Sequence, residues 1–429
     1  MNTTPRRVAV VAANRIPFAR ANSTYAHASN QDMLTVTLDG LVNRAALHGE
    51  RLGEVVGGAV LKHPRDRDLT RESVLGSGLA PETPAYDVQQ ACGTGLEAVV
   101  LIANKIALGQ IDAGIACGVD TASDAPISLN DDLRGILLDL NRARSTGARL
   151  KALARVRPGQ IVPETPRNEE PRTGLSMGEH TARMALDWGV TREEQDDLAA
   201  RSHQRLAAAY DRGFFDDLVT PYLGLERDQN LRPDSTPAKL AELKPVFGAR
   251  NGDGTMTAGN STPLSDGASA VLLASDEWAR ERGLEILAYV TQAQTAAVDH
   301  VHRGDGLLMA PVFAVPRLLA RHGLTLADFD LIEIHEAFAS TVLTILAAWE
   351  SEEFGRTRLG LDGAFGTVDR SKLNVHGSSL AAGHPFAATG GRIVATVSKE
   401  LHRRGPGTRA LVSICAAGGL GVTAILEAA

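Results

Sequence analysis

Two cysteines and two histidines combine reactive side chains with positions that favour catalysis: Cys92, His335, His384 and Cys415. Cys92 lies between a strand-like segment and a helical pattern, within Gln90-Ala91-Cys92-Gly93-Thr94-Gly95. At a helix N-terminus, free N–H groups and the helix dipole stabilise a thiolate, so we expect Cys92 to have a lowered pKa and to serve as a nucleophile. A buried core cysteine is the alternative, which is how we interpret Cys117.

The other three residues stand at predicted strand ends or glycine turns. Cys415 ends an apolar strand, and the loop after it, Ala416–Gly421, offers free N–H groups of the kind that an oxyanion hole needs. His335 follows the apolar segment 331–334, and ligands of α/β folds gather at the carboxyl ends of strands. His384 precedes a proline, which favours an extended backbone at the histidine. Taken singly, each could instead be structural.

Two cysteines and two histidines also suggest a zinc site. A tetrahedral Cys₂His₂ site would require all four side chains to converge. Structural zinc sites usually take ligands in short-spaced pairs, and no such pair occurs in this sequence. We therefore favour the catalytic interpretation and predict no bound metal.

Short apolar strands alternate with helical patterns, which predicts an α/β architecture. Around Cys92, the order is an extended segment (87–91), a glycine turn, a helix that ends at Gly109, and a buried strand (113–118). The C-terminal part repeats this order: an extended segment at 373–375, a turn at Gly377, a helix through Ile393 and Val397, and a buried strand at 410–415. We interpret the repetition as an internal duplication of two α/β halves.

A region of different composition separates the halves. From about 122 to 244 the chain is richer in charge and proline, and Thr191 and Glu194 form a candidate capping box for a helix over 191–212. We predict residues 1–121 and 245–277 as the N-terminal half, 122–244 as an inserted, mainly helical lobe, and 278–429 as the C-terminal half. For the basic run in the lobe we favour a solvated helix face or a partner contact over membrane binding. The run comprises Arg142, Arg144, Arg149, Lys151, Arg155 and Arg157.

Composition excludes several classes. The chain is 44% hydrophobic and 22% charged, as in folded globular proteins, and its net charge of −7 argues against a nucleic-acid binder. Three cysteines without a CxxC pair argue against a disulfide framework and suit a reducing cytoplasm. The N-terminal apolar stretch, Val8–Val11, is too short for a secretion signal, and no apolar run is long enough to span a bilayer.

The motifs, taken together, resemble those of the thiolase family over nearly the whole chain. The closest resemblance is to the β-subunit class of the trifunctional fatty-acid oxidation complex. Eight separated motifs in the family's order carry it: Arg15-Ile16-Pro17-Phe18, Gln90-Ala91-Cys92-Gly93-Thr94-Gly95, Ser123-Asp124-Ala125-Pro126, Ser176-Met177-Gly178, Gly259-Asn260-Ser261-Thr262 with Asp266-Gly267-Ala268, His335-Glu336-Ala337-Phe338, Gly383-His384-Pro385-Phe386 and Cys415-Ala416-Ala417-Gly418-Gly419. Chance does not produce such a series. The resemblance implies a layered αβαβα thiolase fold with the lobe as the family's loop domain.

The resemblance also implies residue roles. Cys92 would carry the acyl group, His384 would activate it, and Cys415 would act as acid and base. His335 would stand where many thiolases have Asn and would orient a water in an oxyanion hole, and the N–H groups of Cys92 and Ala417 would form a second hole. Three further residues match positions along the pantetheine path: Met177, Thr262 and Phe338. Coenzyme A would be a co-substrate, with no tightly bound cofactor.

The expected activity is 3-ketoacyl-CoA thiolysis in fatty-acid β-oxidation, because His335 in place of Asn is shared with the trifunctional-type class. A biosynthetic acetoacetyl-CoA thiolase and a non-catalytic acyl-CoA carrier are the alternatives. The family forms homodimers and homotetramers, and its trifunctional branch pairs with a hydratase/dehydrogenase α-subunit. His376 stands where many relatives have Asn or Trp, and we assign it no role beyond a structural one.

Overall fold

The computed structural model describes residues 5–248 and 254–429. Residues 1–4 and 249–253, which belong to the predicted N-terminal half, lie outside the described residues. The strands are β1 Val8–Arg15, β2 Ala19–Arg20, β3 Glu54–Gly57, β4 Ala85–Asp87, β5 Ala113–Thr121, β6 Pro245–Phe247, β7 Met256–Thr257, β8 Ser265–Ser275, β9 Ala288–Ala297, β10 Leu331–Ile334, β11 Arg409–Ala416 and β12 Leu420–Ala428. The helices are α1 Asn30–Arg44, α2 Leu69–Leu75, α3 Thr94–Ala107, α4 Asp131–Arg142, α5 Thr146–Leu153, α6 Met177–Asp187, α7 Arg192–Asp211, α8 Pro237–Ala241, α9 Asp276–Glu281, α10 Ala310–His322, α11 Ala339–Glu350, α12 Glu352–Phe354, α13 Ser379–Ala382 and α14 Ala388–Arg404.

The sheet displays the duplication that the sequence predicts. Strands run in the order β10-β11-β12-β9-β1-β8-β5-β3-β4. In the first half, β3 is parallel to β5, and β8 is antiparallel to both β5 and β1. In the second half, β10 is parallel to β11, and β12 is antiparallel to both β11 and β9. The two halves therefore have the same strand arrangement, and β1 and β9 join them through a short antiparallel pairing.

The two halves of the sheet and the helices packed on them form five layers, because each half of the sheet is a layer between the central and an outer layer of helices. Helices α3 and α14 contact each other and strands of both halves, so they form the central layer. Helices α1 and α2 cover the outer face of the first half, and α10 covers that of the second. Buried aliphatic residues fill the space between layers, with one cluster around α3 and α14 and one on each outer face. The predicted α/β class, with two duplicated halves packed in layers, is confirmed.

Local predictions mostly agree with the structure. Thr191 caps α7 and forms a capping box with Glu194. The two predicted extended segments, 87–91 and 373–375, are wrong at Ala91 and Asn374, because each of these residues has a φ of 46° and turns the chain. The Asn374 side-chain amide bonds to both backbone groups of Ile334, at 2.9 and 3.0 Å. Asparagine adopts this left-handed conformation more readily than most residues.

The region between β5 and β8 contains α4 to α8 and the small β6–β7 pair. Its assignment as an inserted loop domain with bounds at 122 and 244 stays a prediction. No helix among the described residues is long and apolar enough to cross a membrane.

Candidate active site

A strained turn presents Cys92 at the start of α3. Ala91, directly before it, has a φ of 46°, which costs about 1 kcal/mol for a residue other than glycine. The Thr94 hydroxyl holds this turn, donating to the Ala91 carbonyl at 2.7 Å and accepting from the Gln90 N–H at 2.9 Å. Backbone strain that surrounding bonds maintain is a feature of functional sites. The sulfur is therefore held in a defined place.

Close packing of α3 on the segment leading into α14 brings the two halves of the site together. A Cβ added at Gly95 would lie 2.6 Å from the Ala387 carbonyl oxygen, so no larger residue fits there. This approach places the turn that carries His384 beside Cys92. His384 Nε2 lies 3.1 Å from Cys92 Sγ, and its Nδ1 lies 2.7 Å from the Thr389 hydroxyl. The distances are those of hydrogen bonds that link Thr389, His384 and Cys92 in a row.

His335 lies against His384 at the carboxyl end of β10. Its backbone N–H donates to the Ser413 carbonyl at 2.9 Å, which continues the parallel pairing of β10 with β11. The centroids of the His335 and His384 rings are 4.2 Å apart. His335 Nδ1 lies 2.9 Å from the Ser379 hydroxyl, whereas Nε2 is buried and has no hydrogen-bond partner among the described residues. A buried ring nitrogen without a protein partner is available to a substrate oxygen.

Cys415 lies on β11, opposite Gly421 of β12, and is 2% exposed. Burial raises its pKa, and the charge of a Cys92 thiolate would raise that pKa further, so the sulfurs interact electrostatically. The backbone N–H groups of Cys92 and Ala417 both lower the pKa of Cys92, because they donate toward its sulfur. The structure thus brings Cys92, His335 and His384 together with Ala417 beside them, and Cys415 lies near enough to Cys92 for the two sulfurs to interact electrostatically.

Burial controls the charge states. It raises the pKa of Cys92 to about 12 and lowers that of His384 to about 3. It also lowers the pKa of His335 well below its usual value, and the nearby Arg392 cation disfavours a charge on either histidine. The expected lowering of the Cys92 pKa is wrong for this structure, because desolvation outweighs the N–H groups at the helix start. The Cys92 thiol and the imidazoles of His335 and His384 are therefore neutral at pH 7.

Two of the three residues matched to the pantetheine path share an apolar cluster with Cys415, and the third bonds to the backbone next to that cluster. Met177 and Phe338 pack in one apolar cluster with Cys415, Met256 and Leu308. The Thr262 hydroxyl donates to the Ala337 carbonyl at 2.9 Å, next to Phe338. Sequence reasoning missed Met256 and Leu308, which carry no motif of their own.

Sequence reasoning also missed Asp120. This buried carboxylate, on β5, accepts N–H bonds from Val60, Leu61 and Ala387 at 2.8–2.9 Å. Burial raises its pKa to about 7 in spite of these bonds. Asp120 therefore fixes the backbone between His384 and α14. An aspartate in an apolar strand is a sequence signal, but its partners are set by the fold.

Three of the four residues proposed for a zinc site converge. Cys92, His335 and His384 each offer a ligand atom, and these atoms lie within 4.8 Å of one another. Cys415 is not part of that group. A structural zinc site takes four protein ligands. The prediction that the site holds no metal stays a prediction.

Two other features flagged in the sequence lie apart from these side chains. His376 bonds to Arg212 at 2.5 Å and to Glu400 at 3.0 Å and stacks on Phe214, so its contacts are structural. The predicted basic run lies on or beside α4 and α5. Exposed apolar residues share this region: Leu137, Leu138, Leu150, Leu153, Ile161 and Val162. The surface is therefore less polar than a fully solvated helix face.

Comparison with known families agrees with the fold. Residues 8–277 match the family "Thiolase, N-terminal domain", and residues 284–428 match "Thiolase, C-terminal domain". The chain therefore belongs to the thiolase family of acyltransferases.

Similar proteins include 3-ketoacyl-CoA thiolases and an acetyl-CoA acetyltransferase. The 3-ketoacyl-CoA thiolase of Pectobacterium carotovorum is 42% identical over 427 residues, which cover 98% of this chain and 96% of that protein. The 3-ketoacyl-CoA thiolase of Klebsiella pneumoniae is also 42% identical, with 98% and 97% coverage. Bacillus anthracis acetyl-CoA acetyltransferase superposes with a TM-score of 0.82 at 29% identity, covering 99% of this chain and 100% of that one. Human mitochondrial 3-ketoacyl-CoA thiolase in complex with CoA superposes with a TM-score of 0.80 at 28% identity, covering 99% of this chain and 98% of that one.

Proposed function

We propose that this thiolase cleaves 3-ketoacyl-CoA with coenzyme A, giving acetyl-CoA and an acyl-CoA shortened by two carbons, in fatty-acid β-oxidation. The observation that carries the proposal is the 3.1 Å contact between Cys92 Sγ and His384 Nε2, beside the Nε2 of His335, which has no partner among the described residues. A nucleophile paired with a base, next to a ring nitrogen that can bond to the substrate oxygen, is the arrangement that acyl transfer requires.

The first half-reaction uses all four side chains. The Cys92 sulfur attacks the C3 carbonyl while its proton passes to His384 Nε2. His335 Nε2–H donates to the developing oxyanion. The C2–C3 bond then breaks, and Cys415 protonates the carbon that leaves as acetyl-CoA. The acyl group remains on Cys92 as a thioester.

The second half-reaction returns the protein to its starting state. Cys415, now a thiolate, takes the proton of the coenzyme A thiol, whose sulfur attacks the acyl-Cys92 thioester. The N–H groups of Cys92 and Ala417 stabilise the tetrahedral oxyanion. Cys92 leaves as the thiol after regaining the proton held by His384. Coenzyme A is a co-substrate throughout, and Met177, Thr262 and Phe338 are proposed to line its pantetheine path.

The test is thiolysis by the purified full chain. Release of acetyl-CoA from 3-ketoacyl-CoA and coenzyme A is the expected result, with loss in Cys92→Ser. Cys117→Ala is the matched control, because Cys117 is a buried cysteine of β5 that packs in the outer cluster of the first half. A folded protein that releases no acetyl-CoA from C4 or C16 substrates would refute the proposal.

The likeness to an acetyl-CoA acetyltransferase supports the condensation of acetyl-CoA as a second candidate. The same residues catalyse it in reverse, so the rates of thiolysis on C4 and C16 3-ketoacyl-CoA separate the two: activity on C16 supports the β-oxidation role, and activity confined to C4 supports the acetoacetyl-CoA thiolase. A carrier without turnover would bind acyl-CoA and shield Cys92 from iodoacetamide while releasing no acetyl-CoA.

We also propose assembly as a homodimer or homotetramer in the reducing cytoplasm. Strand β4 is an edge of the sheet and Tyr86 on it is 37% exposed, so it offers backbone groups to a second copy. All three cysteines are free, which suits that compartment.

The apolar and basic surface of α4 and α5 is the candidate contact for a hydratase/dehydrogenase α-subunit. Light scattering of the chain, alone and mixed with that subunit, tests both assemblies.

A further inference from the structure

A buried arginine lies behind His335. Arg392, on α14, is 3% exposed, and its Nη2 donates to the Ser379 hydroxyl at 2.8 Å and to the Ser378 hydroxyl at 3.1 Å. Burial lowers the pKa of Arg392, yet a guanidinium keeps its protons in proteins and has no acceptor. Both serine oxygens must therefore accept from Arg392. Each hydroxyl then has one proton left to donate.

The two serines donate their protons to different partners. Ser378 donates to Glu333 at 2.7 Å. The remaining partner of Ser379 among the described residues is His335 Nδ1, at 2.9 Å. Because Ser379 has to donate there, Nδ1 carries no proton. Burial keeps the His335 ring neutral, so its single proton sits on Nε2.

We propose that Arg392 and Ser379 are positioning residues that hold His335 as the Nε2–H tautomer. The consequence for catalysis rests on the proposed thiolysis, in which that N–H donates to the substrate oxyanion. In the part of the chain that the structure describes, its nitrogen is buried without a partner, and His335 offers a ring nitrogen within 4.8 Å of the Cys92 sulfur. The donor is thus in place before substrate arrives, so no reorientation is needed during the reaction.

The neighbouring histidine requires the opposite tautomer. His384 Nε2 must be free to accept the proton of Cys92, so its own proton sits on Nδ1 and is donated to Thr389. The two imidazole rings, whose centroids are 4.2 Å apart, therefore have different roles: His335 donates a hydrogen bond to the substrate, and His384 accepts the proton of Cys92. If His335 took the same tautomer as His384, the substrate oxygen would face two lone pairs.

Neutron diffraction from deuterium-exchanged crystals of the full chain tests the tautomer directly. The expected result is deuterium on Nε2 of His335 and none on Nδ1, with loss of this preference in Ser379→Ala. Deuterium on Nδ1 in the native protein would overturn the proposal. The position of the deuterium does not depend on activity, so this test can fail while the proposed function holds, and the reverse is also true.

Kinetics provide a second test with a matched control. Ser379→Ala should lower kcat for thiolysis about 10- to 100-fold, less than deletion of an oxyanion donor, with KM changed by less than about threefold. Ser378→Ala should keep kcat within about threefold, because Ser378 donates to Glu333 instead. Ser379→Thr, which keeps the hydroxyl, should recover most of the activity. Equal losses in Ser378→Ala and Ser379→Ala would indicate a merely structural role and refute the proposal.

Discussion

Cys92 is expected to stay protonated in the resting protein over a wide range of pH. Burial raises the pKa of the Cys92 thiol to about 12 and lowers that of His384 to about 3. A raised thiol pKa means that thiolate appears only as pH rises toward 12. A lowered imidazole pKa means that imidazolium appears only as pH falls toward 3. At pH 7 a thiol with this pKa is ionised in about one molecule in 10⁵, so the resting pair is neutral.

The assay is the ultraviolet absorbance of the thiolate, measured as the difference between the native protein and Cys92→Ser. Cys117 and Cys415 are present in both proteins, so their contributions cancel. The expected difference spectrum shows no thiolate signal from about pH 6 to about pH 9. A thiolate step with a midpoint below about pH 8 would instead indicate a thiolate–imidazolium pair at rest and would contradict the neutral pair expected from burial.

Three further predictions follow from the buried contacts. Thr389→Val removes the partner of His384 Nδ1 and should lower kcat about 10- to 100-fold with little change in KM, measured by steady-state thiolysis; an unchanged kcat would contradict the assigned His384 tautomer. Asp228→Asn leaves the buried Arg15 cation short of its bidentate partner and should cost about 3–5 kcal/mol in chemical denaturation. The same change at the exposed Asp211 should cost less than about 0.5 kcal/mol, and equal costs would refute the burial argument. Dialysis against a zinc chelator should leave thiolysis unchanged, and activity restored by added zinc would favour the metal hypothesis.

The reactive groups of the site were predictable because their types and backbone contexts are rare. A cysteine between a strand and a glycine-rich helix start, and a histidine in Gly383-His384-Pro385, leave few alternatives once several motifs agree. Periodicity also predicted α3, α14 and the repeated strand order, since apolar spacing reflects the packing face directly.

The supporting residues were not predictable. Thr389, Ser379 and Arg392 are common residue types within a helical pattern, and only the packing of α14 behind the histidines gives them partners. The pKa of Cys92 was predicted with the wrong sign for a related reason. A helix start is visible in the sequence, whereas the desolvation that outweighs it depends on the layers above and below.

His376 illustrates the converse. A histidine near Gly377 and the His384 motif invites a functional interpretation. The fold instead places it between Arg212, Glu400 and Phe214, where it joins the end of α7 to α14. Closeness in sequence to a reactive residue did not indicate closeness in space.

Acylation of Cys92 is the most direct measurement of the central claim. The protein is mixed with 3-ketoacyl-CoA and a limiting amount of coenzyme A, quenched in acid and digested for mass spectrometry. We expect the peptide containing Cys92 to gain the mass of the shortened acyl group, and excess coenzyme A to remove it. An acyl group on Cys415, or turnover with no acylated cysteine at all, would show that Cys92 is not the nucleophile.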